Sequence, residues 1–125
     1  MDGISVVVDA PMEAAERALR ESLVEVGFGV LTEIDLSATL KEKLGEDRPP
    51  MKILGACNPK FASQALNLDP SMALLLPCNV VLEEVPEGTR VTAVDPRALM
   101  RDRPELTDQV SELLQQALSK SVERA

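Results

Sequence analysis

Apolar residues along this chain follow two rhythms, and the switches between them mark its elements. Gly3 to Val8 is a β-branched run, Ile4, Val6, Val7 and Val8, that reads as a strand and ends at Asp9-Ala10-Pro11, where proline suits a first helical turn. Met12, Ala15, Leu19, Leu23 and Val26 then recur at helical spacing, with Glu13, Glu16, Arg17 and Arg20 turned outward and Gly27 as the predicted stop. Phe28, Val30 and Ile34 return to even spacing and predict a second strand with one half-buried face, ending at Asp35. Ser37 is placed to cap a short helix with Leu36, Leu40 and Leu44 on one stripe, closed by Gly45 in a left-handed turn.

After the polar loop Glu46-Asp47-Arg48-Pro49-Pro50, Met51 to Ala56 predicts a third strand that delivers Cys57 to the sheet's edge. Asn58 and Pro59 fit the cap and first turn of a helix whose inner face would be Phe61, Ala62, Ala65 and Leu66. Asp69-Pro70-Ser71 restarts a helical turn through Met72 to Leu75, and Pro77 ends it. Cys78 to Val85 and Thr89 to Val94, joined by Pro86-Glu87-Gly88, predict an antiparallel hairpin. A charged loop follows, and from Asp102 to Pro104 a last helix starts that carries Leu106, Val110, Leu113, Leu114, Ala117, Leu118 and Val122.

The order β-α-β-α-β-α-β-β-α predicts an α+β fold, a mainly antiparallel five-stranded sheet with helices on one face. With 125 residues and no linker or repeat, residues 1–125 are read as a single domain. Phe28 and Phe61 are the only aromatic residues, so the core is aliphatic and stacking platforms for bases are missing. Twenty-one acidic against thirteen basic residues give a net charge of −8, which repels phosphate backbones and anionic lipid, so neither nucleic acid nor a membrane is an expected partner. Arg97, Arg101 and Arg103 form the dense basic cluster, but Asp95, Asp102 and Glu105 interleave with it, and it reads as a solvated loop. Met1-Asp2-Gly3 carries no basic region before the first strand, and the longest apolar run, Met72 to Leu76, is far short of a membrane span. A cytoplasmic location is expected, where thiols stay reduced.

Candidate chemistry therefore rests on the two cysteines, each in a proline-marked motif: Cys57 before Asn58-Pro59, and Cys78 after Leu76-Pro77. Cys57 precedes a helix N-terminus, where unpaired N–H groups favour an anion. If the strand Cys78 to Val85 runs antiparallel to the strand Met51 to Ala56, Cys78 starts at the end of the sheet where Cys57 lies. Paired thiols would open three chemistries: a reversible disulfide, sulfur transfer with a resolving thiol, or a soft metal such as Cu(I). A closed zinc site normally needs four ligands, and a chain without histidine would have to supply carboxylates or a second subunit. The other reading is that both cysteines only pack, as free cysteine often does. Histidine bases, serine–histidine triads and histidine metal sites are excluded by composition. Glu83 and Glu84 face opposite ways on a strand, and Glu33 and Asp35 read as a solvated edge. Leu74 to Leu76 could also line an apolar small-molecule pocket.

Gly27-Phe28-Gly29-Val30, Ile53-Leu54-Gly55-Ala56-Cys57-Asn58-Pro59, Asp69-Pro70 and Leu75-Leu76-Pro77-Cys78-Asn79-Val80, taken in order, resemble the bacterial and archaeal family of domain of unknown function 302. The resemblance runs from the first strand to about Asp95-Pro96. It implies a small α+β domain in the TATA-binding-protein-like fold class and a homodimer, with no established activity or cofactor. Fold analogy does not imply DNA binding. Two readings stay open: a domain handling thiol, sulfur or soft metal through Cys57 and Cys78 with Asn58, Pro59 and Pro77, or a non-enzymatic homodimeric module that binds a small molecule or a protein.

Overall fold

The computed structural model describes residues 3–125. Met1 and Asp2, read above as carrying no basic region before the first strand, lie outside the described residues. One antiparallel sheet of five strands has the order β1-β5-β4-β3-β2, formed by β1 (Gly3–Val8), β2 (Gly29–Asp35), β3 (Met51–Cys57), β4 (Cys78–Val85) and β5 (Gly88–Val94). The helices are α1 (Met12–Glu25), α2 (Leu36–Leu44), α3 (Pro59–Leu68), α4 (Pro96–Leu99) and α5 (Pro104–Arg124), with a 3₁₀ turn at Pro70–Leu75. The predicted fold class and strand direction hold.

Register explains which side chains form the core. Val6 pairs with Val91, Val91 with Leu82, Lys52 with Leu82, and Leu54 with Val80, so alternate residues of neighbouring strands share one face. Val8, Leu54, Val80, Leu82 and Val91 are fully buried there with Leu19 and Leu23 of α1 and Leu114 and Leu118 of α5. Each such aliphatic side chain contributes about 1.5–3 kcal/mol on leaving water. The hydroxyls buried among them are satisfied locally: Ser22 donates to the Ala18 carbonyl at 2.8 Å and Ser121 to the Leu118 carbonyl at 2.6 Å. Arg124, at the end of α5, donates to Ser22 at 3.2 Å and pairs with Glu25, fastening α5 to α1.

Glycine marks the turns where a positive φ is needed. Gly27, at φ 90°, follows α1, and its N–H bonds to Val24 while the Phe28 N–H bonds to Leu23, the paired bonds of a Schellman ending. Gly88, at φ 134°, closes the β4–β5 turn so tightly that a Cβ there would meet the carbonyl oxygen of Val8. Gly45 ends α2 in the left-handed conformation predicted for it.

Three local expectations change. The register of β2 against β3 slips between Val30 and Thr32, which places an extra residue at Leu31. Phe28 is buried and Val30 half-buried, whereas Ile34, beyond the irregularity, is exposed; the even spacing of Phe28, Val30 and Ile34 is therefore broken by the slip. Asp35 caps α2, accepting the Ala38 N–H at 3.0 Å, and Ser37 instead bonds to Asp35 and accepts the Met51 N–H at 3.1 Å. Leu66 of α3 is exposed and not on its inner face.

Candidate functional site: an apolar cleft at the sheet's end

At the end of the sheet where β3 finishes and β4 begins, the chain leaves a narrow cleft. Ala56 and Cys78 form its floor, Phe61, Ala62 and Ala65 of α3 one wall, Leu75 and Leu76 a second, and Leu99, Met100, Leu106 and Val110 the roof. Phe28 and the buried Pro96 close the inner end. Asn58 and the thiols are the side-chain polar groups on this lining. The free volume is about 30 Å³, room for a water or two and far below the few hundred Å³ of an open ligand pocket.

Local sequence positions each wall. Asn58 and Pro59 occupy the cap and first turn of α3 as expected, but the Asn58 side chain makes no cap bond. Its Nδ2 instead donates to the Val26 carbonyl at 3.5 Å, tying the start of α3 to the exit of α1. Asp69 caps the 3₁₀ turn, accepting from the Ser71 N–H at 2.9 Å and from its hydroxyl at 2.8 Å. Those bonds hold its carboxyl below the usual range, with the charge of Arg103 adding to the effect. Pro77, joined to Leu76 by a cis peptide, lies against Gly55, where a Cβ would come within 2.8 Å of its ring. Pro59 is exposed.

The cysteine readings separate here. Antiparallel register pairs Ala56 with Cys78, so the next residue, Cys57, points from the sheet in the opposite sense. Both thiols are free and both border the cleft, but they are not close and do not form a pair. The expected cysteine pair is corrected on this ground: the two strand ends meet, and side-chain alternation divides the sulfurs. No group of three or more histidine, cysteine or carboxylate side chains is placed to hold a metal ion among the described residues. Burial, with the charge of Cys57 adding a smaller effect, pushes the Cys78 thiol up to about 11, so Cys78 is a neutral thiol at physiological pH. Such a group lines an apolar wall better than it attacks a substrate.

The roof was missed by the sequence reading, which took the segment after Asp95 as a charged loop. Asp95 instead caps α4, accepting the Arg97 N–H at 3.1 Å, and its ion pair with Arg97 at 2.9 Å holds its carboxyl below the usual range. Pro96 is buried, and Leu99 and Met100 face the cleft. The signal was present in Asp95-Pro96, a cap followed by proline, and in the apolar pair Leu99-Met100 inside a charged stretch. Charge density masked it.

A separate polar cluster lies at the edge formed by β2. Lys52 reaches Glu16 at 2.8 Å and Glu33 at 2.5 Å, and Arg20 reaches Glu16 at 2.9 Å. Burial would raise the Glu16 carboxyl, but hydrogen bonds and charge from Lys52 and Arg20 outweigh it and hold the group below its ordinary range. Every charge in this cluster is matched, so it ties α1 to the sheet and offers no open acid or base.

The family described as domain of unknown function DUF302 matches residues 4–124. A solved structure, described as a crystal structure of an uncharacterized conserved protein DUF302 from Bacillus stearothermophilus, is 31% identical with a TM-score of 0.83, over 99% of this chain and 98% of that chain. A comparison with curated proteins found no match. The chain belongs to the DUF302 family.

Proposed function

We propose that this DUF302 domain is a non-enzymatic binding module that takes a small apolar ligand in the cleft between α3, α4 and the end of the sheet. The observation that carries the reading is the lining: aliphatic side chains, Phe28 and Phe61, with Asn58 and two cysteines, Cys78 held neutral, as its polar groups and no charged side chain in it. Pockets for small molecules are mostly apolar with few polar anchors. The cleft is narrow as it stands, but two of its walls are short, the six-residue 3₁₀ turn and the four-residue α4. Short elements with few buried contacts open at low free-energy cost. No residue of the turn is buried, and Leu74 beside Leu75 is 87% exposed.

The test is titration with the neutral fluorescent probe N-phenyl-1-naphthylamine, alongside Ala62→Leu to fill the cleft. Saturable one-to-one enhancement that Ala62→Leu abolishes supports the reading. No saturable binding, or binding indifferent to Ala62→Leu, contradicts it.

The sheet's other face favours a homodimer. Val7, Ile53, Val81 and Val94 alternate with the core residues and lie there among Ser5, Thr92 and the Arg90–Glu83 ion pair at 3.3 Å. Two copies carrying −8 each repel, so self-association needs a face whose charges cancel, and this one has its ion pair internally matched. Strand spacing and rise give the face about 500 Å² in plan, hence about 1,000 Å² over two copies, the lower bound for a specific interface. Light scattering after gel filtration should give twice the 13.5 kDa chain mass, and Val81→Lys should halve it. A monomer at every concentration tested would remove the dimer from the account.

A further inference from the structure

The two edges of the sheet are finished differently. β2 ends it on one side with a register slip at Leu31 and two carboxylates, Glu33 and Asp35, along its length, devices that stop a further strand from adding. β1 ends it on the other side with neither. Gly3 to Val8 holds no charged residue and no proline, and it pairs with β5 without a slip. Gly3, Ser5 and Val7 are exposed along this edge.

Hydrogen-bond direction shows what the edge presents. The β4–β5 turn is two residues long, so Val85 and Gly88 on either side of it form a bonded pair, and bonded pairs alternate from there along the hairpin. The Glu84 N–H, which donates to the Pro50 carbonyl at 3.0 Å on the β3 side, fits this phase. Arg90 and Thr92 therefore turn to β4, and Thr89, Val91 and Ala93 turn to their partners Val8, Val6 and Ile4. The N–H and C=O groups of Gly3, Ser5 and Val7 are left directed outward, at strand spacing.

Charge says which strand they suit. Asp9 and Glu87 lie at the Val8 end of the edge, where Gly88 abuts the Val8 carbonyl; both are exposed and outside any ion pair among the described residues. At the Gly3 end, Asp95, next to Val94, is already paired with Arg97. A second copy, itself carrying −8, is repelled as a whole. A strand with a basic end is drawn to Asp9 and Glu87, and in the more stable antiparallel arrangement that end is its N-terminal one.

We propose that β1 receives an extended segment of another protein as a sixth, antiparallel strand, with apolar residues alternating with small polar ones and a basic N-terminal end. The outward backbone groups of Gly3, Ser5 and Val7 hold it, as in strand addition to other exposed sheet edges. Its apolar side chains extend the layer of Ile4 and Val6, which packs on the core, and its basic end meets Asp9 and Glu87. This surface is separate from the cleft and from the open sheet face, and the inference rests on neither.

The test is fluorescence polarisation with two labelled peptides of one composition, KKTVTVT and TVTVTKK, followed by amide hydrogen exchange read by NMR. KKTVTVT should bind saturably and TVTVTKK about threefold to tenfold more weakly, the range of two exposed ion pairs, and the difference should fade at high salt. On binding, the amides of Gly3, Ser5 and Val7 should gain protection, while those of Ile4 and Val6, already bonded to β5, keep theirs. Ser5→Pro should abolish binding and keep the wild-type circular dichroism, because the N–H it removes is not used by the β1–β5 ladder. Where Ser5→Pro does not fold, the alternating protection in the wild type decides. No saturable binding, equal affinity for the two peptides, protection without that alternation, or binding that survives in folded Ser5→Pro overturns the proposal. Protection of the Ser5 and Val7 amides that rises with protein concentration in the absence of peptide assigns the edge to a second copy and overturns it as well.

Discussion

Cys78 offers a test in which burial sets the magnitude. The structure moves its thiol from an ordinary 9.0 to about 11, chiefly because burial in the apolar cleft floor penalises the charged form. Two units correspond to about 2.7 kcal/mol between the two protonation states and to about 100-fold less thiolate at any pH well below 9. Since the thiolate is the nucleophile, alkylation should slow by at least that factor. The assay is iodoacetamide labelling of the Cys57→Ala protein, followed by intact mass, from pH 7 to pH 11. The rate should lie about 100-fold below that of a free cysteine at neutral pH and rise tenfold per unit without a plateau before about pH 11. The same shift has a stability sign. A thiol raised in the folded state contributes fully below pH 9 and loses that contribution as pH rises through 11, so urea midpoints should fall over that window by about 2–3 kcal/mol in free energy. In Cys57→Ala/Cys78→Ala that component should vanish. Labelling at free-cysteine rates, or a plateau between pH 8 and 9, would refute the reasoning and return Cys78 to the list of reactive thiols.

Gly88→Ala should destabilise by about 2–5 kcal/mol, because it adds an unfavourable positive φ to a collision with the Val8 carbonyl; an unchanged denaturation midpoint would contradict this. Leu54→Ala, fully buried on β3 between β2 and β4, should cost about 2–5 kcal/mol by chemical denaturation. Glu16→Gln should cost about 1–2 kcal/mol near neutral pH by leaving Lys52 and Arg20 partly unmatched. The Glu16 contribution is whole above its ordinary 4.5 and is lost as pH falls through its lower folded value, so the mutant's acid limb below pH 4.5 should be flatter; an identical pH profile would show that the cluster is not coupled to folding.

Strands and helices were legible wherever a period ran unbroken. Leu19 and Leu23 on α1, Leu114 and Leu118 on α5, and the hairpin around Pro86-Glu87-Gly88 follow from spacing and turn chemistry alone. Ile34 was misread because one extra residue at Leu31 alters register, and a spacing rule cannot see an insertion that only pairing with β3 reveals. The shared end of the sheet for Cys57 and Cys78 was inferred conditionally, and antiparallel pairing meets the condition. Their separation needed the register itself, since a shift of one residue would have brought both sulfurs to one face. The cleft was half visible. Cys78, Asn58, Phe61 and Leu75 to Leu76 were singled out, but Leu99, Met100 and Leu106 come from a segment whose arginines and aspartates drew attention to charge.

The central claim is that the space beneath α4 receives an apolar ligand, and methyl-resolved NMR during titration with 1-octanol tests it most directly. The account predicts saturable shifts confined to the methyls of Ala62, Ala65, Leu75, Met100 and Leu106, with those of Val7 and Val81 on the far sheet face unmoved. Shifts absent from the cleft, or centred on Val7 and Val81, would contradict it.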